Sequence, residues 1–441
     1  MRDIIVLAII LGSAPVCLFS PYFGVLMWTW VAYFNPHRFT YGVAYNFPVA
    51  TVIAIPTILG AIFTRQRNRR FFTLEFALLL ALWGWFGFTT YHTVHDPVFA
   101  GHADDTTTEM IQISKILLMA VMCIVLVNSE KKLRTLLIVT SFSFGALAIK
   151  GALFGVRTAG EFRLYGPPDS FVEDNNMLAL AMNMVLPMMF FLARTETRRL
   201  LRRFLWASFF CGIVGVLLSY SRGGLLGLAA ALGMIAIKTR RKALAGVLLT
   251  AMAFLVLTFA PAAWMDRMSN FFHGNLDESA ELRLNAWQFS WTLASQYPLT
   301  GGGFETFTPE LYDRFTPSLR FAGPHSIYFQ MLGEQGFVGL GLFLSLVIAM
   351  WFSAGRLRRL ARGQPGLGWV ETYAHIIQCG LAAYLVCGTF LARAYFDLFY
   401  LFVASTVILK ILYRREAALL AQEALAQPAP VAVEGAALMQ L

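Results

Sequence analysis

Arg222 stands in Ser219-Tyr220-Ser221-Arg222-Gly223-Gly224, a polar turn between two apolar runs, residues 204–218 and 225–237. An arginine at the end of a membrane helix is costly unless something negative meets it, so it marks a place that holds an anion or a carboxylate. Guanidinium groups bind phosphate oxygens in pairs and stay charged at physiological pH. A diphosphate carried on a membrane lipid would present its charge at the depth of Arg222. His325 follows Gly323-Pro324 and opens the run that begins Ser326-Ile327-Tyr328. An imidazole at the mouth of a membrane helix suits general-base work, because it titrates close to neutral pH. Taken singly, each arginine can instead snorkel to water or pair with a nearby acid, and His325 can serve as a cap or an interface residue.

Other polar groups need a reading beside these. Glu75, Lys150 and Glu334 lie at or near membrane depth, where they suit internal hydrogen bonds, ion pairs or a proton path. Glu334 follows His325 by nine residues, which places it about 14 Å further along one helix at the standard rise, too far to orient the imidazole directly. His92, His95, Asp96, His102, Asp104 and Asp105 crowd into residues 90–112. That stretch reads as a solvated loop and lacks the His-Glu-x-x-His pattern on one helix face, so no metal is expected there. The five cysteines all lie in apolar segments without metal-ligand spacing, as packing residues do.

The elements that position these groups follow from composition. Of 441 residues, 58% are hydrophobic and only 14% charged, more apolar surface than one soluble core can bury. Apolar runs long enough to cross a bilayer recur along the chain, so the fold class is an all-α polytopic membrane protein with about 12–13 transmembrane helices. The spans fall at 3–19, 22–34, 47–64, 71–89, 113–128, 135–154, 175–193, 204–220, 223–237, 243–263, 326–353, 376–392 and 395–413. Pro15 and Ser20-Pro21 interrupt the first two, which therefore read as short or re-entrant segments or as full crossings. No cleavable signal peptide is expected.

The net charge of +10 is spread over clusters such as Arg65-Arg67-Arg69-Arg70, Lys131-Lys132-Arg134, Lys238-Arg240-Arg241-Lys242 and Arg356-Arg358-Arg359-Arg362. Each cluster sits in a short connection between spans, the signature of cytoplasmic loops and not of nucleic-acid binding. The opposite face then collects Arg163, Asp169, Asp174, Asn175, Arg222, Arg283, Arg314, Arg320, His325 and Arg393. The chain divides into N-terminal membrane helices (1–64), central helices carrying the arginine motifs (65–263), a large outward loop (264–325), C-terminal helices (326–415) and a disordered cytoplasmic tail (416–441). Within the large loop, Leu282, Ala286, Phe289 and Leu293 recur at helical spacing, predicting an amphipathic helix over 279–295 that Tyr297-Pro298 and Gly301-Gly302-Gly303 end.

Several motifs occur in a fixed order: Arg163-x-x-Gly166, Asp174-Asn175-Asn176, Ser219-Tyr220-Ser221-Arg222-Gly223-Gly224, Arg283-x-x-x-Trp287, Pro298-x-x-Gly301-x-Gly303, His325-Ser326 and Glu334-x-Gly336. This series resembles the O-antigen ligase and polysaccharide polymerase superfamily over roughly residues 160–340. Met1-Arg2-Asp3, Met27-Trp28-Thr29-Trp30, Asn35-Pro36-His37-Arg38 and Tyr45-Asn46-Phe47-Pro48 resemble, more narrowly, the O-glycosylation ligases found with exosortase systems. The Pro167-Pro168-Asp169 stretch departs from the family pattern by lengthening the gap before Asn175.

The resemblance implies a bacterial inner-membrane glycosyltransferase, its active site facing the periplasm and its partners the membrane lipids. Such an enzyme joins a glycan from an undecaprenyl-diphosphate carrier to a hydroxyl of lipid A–core or of protein, with inversion and without metal or other cofactor. His325 matches the family's base, Arg222 and Arg283 match the arginines that hold the donor diphosphate, and Arg163 is a third match. Ser221, Arg393 and Glu334 are supporting candidates. A polymerase joining repeat units needs the same residues, and the exosortase-type N-terminus tilts the reading toward ligase. A transporter or lipid flippase is the reading from another class, with Glu75 and Glu334 as its support. It would call for repeated halves and paired intramembrane acids.

Overall fold

The computed structural model describes residues 1–239 and 278–426. Among these residues are 14 α-helices and no strand. In chain order they are α1 (Arg2–Phe19), α2 (Pro21–Phe34), α3 (Val49–Phe63), α4 (Leu74–His95), α5 (Ala103–Leu126), α6 (Glu130–Arg157) and α7 (Asn175–Thr195). They continue as α8 (Arg199–Leu218), α9 (Arg222–Thr239), α10 (Glu278–Gln296), α11 (Pro309–Phe315), α12 (Ile327–Ala361), α13 (Gly368–Gly388) and α14 (Asp397–Ala426). The protein is an all-α polytopic membrane protein. The predicted span 243–263, the first part of the large loop, the last residues of the Lys238–Lys242 cluster and residues 427–441 lie outside the described residues.

Eight helical stretches among the described residues are long and apolar enough to cross a membrane. α2, α3, α13 and α14 run between the same two ends of the bundle, as their end contacts show. At one end the basic connections interlock. Arg134 pairs with Glu196 at 3.0 Å, Tyr373 donates to Glu130 at 2.5 Å, Lys238 reaches Gln378, and Tyr22 donates to the Lys132 carbonyl at 2.9 Å. At the other end, Asp3 accepts from the amides of Gly42 and Ala44, and Arg38 pairs with Asp169. So α1 and α2 form a hairpin between the two ends, with the Ser20-Pro21 corner at the basic one. α7 is the hub of the core: residues 178–193 are buried throughout.

Glu75, at the start of α4, is fully buried, with Lys410 of α14 at 2.9 Å from one carboxylate oxygen and 3.0 Å from the other. Ser353 of α12 donates to the same carboxylate. This carboxylate is an internal cross-link among three helices, consistent with the rule that buried charges are paired.

Two expectations change. The stretch 90–112 is mostly helix, since α4 runs to His95, a 3-10 turn covers Pro97–His102 and α5 begins at Ala103. Asp96 caps that turn by accepting from Val98 N at 2.9 Å, and Asp104 and Asp105 sit in the first turn of α5, where the helix dipole favours acids. The last helix also continues past Glu416 to Ala426. The segment is rich in Ala, Leu and Glu, and no proline or glycine intervenes before Pro428.

The 35-residue α12 is broken at Gly336, whose φ of 66° and ψ of −172° no side-chain-bearing residue adopts readily. The break frees carbonyls that a continuous helix would satisfy, and in a membrane each must find a partner inside the protein. The turn after α10 supplies them. Gly302 N donates to Gly333 O and Gly303 N to Glu334 O, each at 2.9 Å, while Trp85 of α4 donates its indole N–H to Gln335 O at 3.1 Å. In return Phe337 N donates to Pro298 O at 2.9 Å. The approach leaves no room for side chains: a Cβ on Gly336 would lie 2.3 Å from Leu299 O, and one on Gly301 2.4 Å from Gly333 O.

Gly336→Ala is therefore expected to destabilise the protein by roughly 1–3 kcal/mol or more from backbone strain alone. Gly341→Ala, on the same helix with open space around it, should be near neutral. Thermal unfolding of the two variants side by side in detergent checks the difference.

Candidate functional site

At the end of the bundle opposite the basic connections, four turns converge. The first is the α8–α9 turn carrying Ser219, Tyr220, Ser221 and Arg222. Tyr220 takes φ of 55°, and its hydroxyl donates to the Gly160 carbonyl. Ser221 caps α9, its Oγ accepting from Gly224 N at 2.9 Å. Asn175, buried at the start of α7, donates to Ser219 O at 2.7 Å, and Asn183 two turns later donates to Gly224 O at 2.7 Å. These bonds fix where the guanidinium of Arg222 begins. Ser221 thus has a structural task, which its position in the motif did not reveal.

The second turn places Asp174, the N-cap of α7, whose carboxylate accepts from Asn176 N at 2.9 Å. The third brings His325, immediately before α12, into a left-handed backbone conformation with φ of 42°. His325 is therefore not on the helix that carries Glu334. Its side chain is exposed, but the protein bulk around it strips part of its hydration and lowers its pKa from the ordinary 6.5. The charge of Arg283 lowers it further, and Asp174 pulls the other way. So Arg283 of α10 and Asp174 at the α7 cap both lie within electrostatic reach of this imidazole. Arg283 is oriented from the same α10 face as Trp287, which stacks on Phe329 of α12 with ring centroids 4.8 Å apart. The predicted amphipathic helix is this α10, with Ala286, Phe289 and Leu293 fully buried and Leu282 partly so.

The fourth turn, between α13 and α14, carries Arg393. Its Nε donates to the thioether of Met177, and its backbone carbonyl accepts from Tyr384 at 3.0 Å. Burial lowers the pKa of Arg393, while Glu109, Asp174, Asp397 and Glu305 raise it. Burial in turn raises the pKa of Glu305, with Asp105 adding to the rise and Arg393 opposing it. Phe390 in the same turn packs against Gly223, next to Arg222. Glu334 is buried beneath, accepting from Gln330 at 3.4 Å, and Gln330 also accepts from Ala394 N at 3.0 Å. Sequence reasoning missed Glu109, Glu305 and Asp397. For Asp397, its place four residues after Arg393 at the start of a span was a usable signal.

Asp174 thus lies within electrostatic reach of both His325 and Arg393, while the Arg222 turn is bonded by Asn175, next to Asp174, and packs against Phe390, three residues before Arg393. Arg163 is placed differently. It lies within electrostatic reach of Tyr220 but lines a separate cavity of about 790 Å³, to which His325, Arg222, Arg283 and Arg393 do not contribute. His102 is not a ligand in waiting: its Nε2 donates to Gly302 O at 3.0 Å, and Thr106 donates to Phe304 O at 2.6 Å, so both hold the glycine turn.

Residues 206–344 match the family model described as O-antigen ligase. Residues 1–197 match DUF5935, a family of unknown function. No curated protein matches the chain.

Asn175→Ala removes the donor to a buried carbonyl of Ser219 and is expected to cost about 1–3 kcal/mol of stability. Asn176→Ala, which loses only a 3.4 Å contact to Asn175, should cost less than half as much. Equal melting temperatures for the two variants would show that Asn175 does not hold the arginine turn.

Proposed function

We propose that this chain, a member of the O-antigen ligase superfamily through its residues 206–344, transfers a glycan from an undecaprenyl-diphosphate carrier to an acceptor hydroxyl. The observation that supports this reading is that Arg283 and Asp174 lie within electrostatic reach of His325, with Asp174 next to the Asn175 that bonds the Arg222 turn. The positive-inside rule puts the basic end in the cytoplasm, so the site opens toward the periplasm of a bacterial inner membrane.

In this reading the neutral imidazole of His325 takes the acceptor proton. The acceptor oxygen attacks the anomeric carbon from the face opposite the diphosphate, and the bond from that carbon to the diphosphate oxygen breaks with its electron pair on the leaving group. The configuration inverts. Arg222 and Arg283 hold the diphosphate and neutralise the charge that develops on it, the electrostatic term that is often the largest in catalysis. A lowered pKa keeps His325 in the basic form that the step requires. Asp174 and Arg393 set the local field, and Glu334 supports the floor through Gln330. Guanidinium charge serves the role that a divalent cation serves in other transferases, so transfer is expected to proceed in EDTA.

The acceptor is a lipid A–core sugar or a protein. The resemblance of residues 1–48 to exosortase-associated ligases favours ligation over polymerisation, and product size separates the two. The transporter reading loses support, because Glu75 is locked to Lys410 and Ser353.

With purified protein, a lipid-diphosphate-linked glycan and candidate acceptors, His325→Ala is expected to lower kcat by about 10²–10⁴, the usual contribution of a general base. Undiminished turnover would overturn its assignment. Activity should rise with pH as His325 loses its proton, with the acid limb below the ordinary histidine value of 6.5. Arg283→Gln removes a positive charge that favours the neutral ring, so beyond slowing transfer it should move that limb to higher pH. An unmoved limb in the pH–rate profile would show that the two groups are not coupled.

A further inference from the structure

The cavity of about 790 Å³ that takes in Arg163 is built mainly by the N-terminal part of the chain. Four basic residues line it: Arg2 at the start of α1, Arg38 in the turn after α2, Lys150 near the end of α6, and Arg163. Lys150 Nζ lies 4.0 Å from the centre of the Phe39 ring, and the Arg38 guanidinium lies 4.8 Å from that of Tyr45. Among the described residues, Asp169 pairs with Arg38 at 3.3 Å, and Asp3 nearby is engaged by the amides of Gly42 and Ala44. The cavity therefore carries an excess of positive charge.

Its other walls are apolar, with Leu147, Phe154 and Leu178 facing the same space. The rim residues Tyr41, Phe154 and Tyr165 are exposed, as are Val156 and Phe162 beside them. Exposed aromatic and aliphatic side chains at the end of a membrane bundle mark the level of the lipid headgroups. Positive charge above an apolar wall at that depth fits a phosphate anchored to a lipid tail, and basic pockets between membrane helices bind such headgroups.

We propose that this cavity is a second anion site, distinct from the His325 group, which holds the phosphate of a membrane lipid. The source is either a polyprenyl phosphate or an anionic phospholipid, since both present the same chemistry. The site stands on the cavity alone and does not rest on the transfer reaction. It also gives Arg163 a place that its motif did not, in the lining of this cavity.

The test uses the full-length protein in phosphatidylcholine nanodiscs, with undecaprenyl monophosphate or phosphatidylglycerol added and retained lipid counted by native mass spectrometry. Wild type is expected to retain phosphate lipid over phosphatidylcholine. The double variant Arg2→Gln/Lys150→Gln should weaken that retention by on the order of 10-fold, and Lys115→Gln, a charge outside the cavity, should leave it unchanged. Arg2→Gln alone, at an exposed position, should lose a smaller part and guards against misfolding of the double variant. Preference for the prenyl lipid names the carrier as the source, and preference for phosphatidylglycerol names the bulk membrane. Retention that is unaltered in both variants, or equal for phosphatidylcholine, would overturn the site.

Discussion

The pairing of the Gly301–Gly303 turn with the broken α12 is the contact on which the site depends. A break in a membrane helix exposes carbonyls that lipid cannot satisfy, so it survives only where protein supplies the donors. Here the amides of Gly302 and Gly303 and the indole of Trp85 do so, and Pro298 O takes the displaced amide of Phe337. That exchange seats α10, and with it Arg283 and Trp287, against the start of α12. It also explains why the glycines cluster at two distant places in the sequence: each set is small so that the other set's backbone can approach. His102, Thr106 and Thr93 close the far side of the turn, tying α4 and α5 to it as well.

A second constraint acts on charge. The basic end has its own acids, Glu130, Glu196 and Glu75, each engaged by a neighbouring helix. Those bonds fasten α6, α7, α13 and α14 at one depth and keep the bundle rigid beneath the site. The opposite end is different in kind. Several of its cations sit in turns, and Glu109, Asp174, Asp397 and Glu305 act on Arg393 through their charge. At the basic end Glu130, Glu196 and Glu75 serve cohesion, whereas at the other Arg2, Arg38, Lys150 and Arg163 line a cavity.

Among the described residues, the sequence made the membrane class, the helices from α3 onward and the α10 helix legible, because apolar run length and the 3.6-residue period are local properties. Arg283 and His325 were readable as candidate site residues through motif order. What local pattern does not carry is the partner of each buried charge. Glu75 read equally well as part of a proton path or of an ion pair until Lys410, 335 residues later, was placed beside it. Glu109 and Glu305 were invisible for the same reason, each being ordinary until Arg393 comes within reach of its charge. Arg163 shows the converse. Its motif grouped it with Arg222, and the turn between them does join them, yet its side chain opens into a different cavity. The tail beyond Glu416 was misread for a simpler cause: its low-complexity end begins only at Pro428, and the helix propensity before it was undervalued.

The neighbours of His325 bear on how the proposed transfer would be timed. Without a donor, burial and then the charge of Arg283 lower the pKa of the imidazole, and Asp174 opposes them. A bound diphosphate brings negative charge to Arg283 and so cancels the field that depresses the ring. The same event that delivers the sugar would then raise the proton affinity of the base, when the acceptor hydroxyl has to be deprotonated. A lone histidine in a dry pocket would be a permanently weak base, and one beside a carboxylate alone would be protonated much of the time. In the fields of Arg283 and Asp174, the imidazole of the proposed site would become more basic on loading, and this coupling would need no moving part. It requires only that α10 be held where the glycine turn and the broken helix fix it.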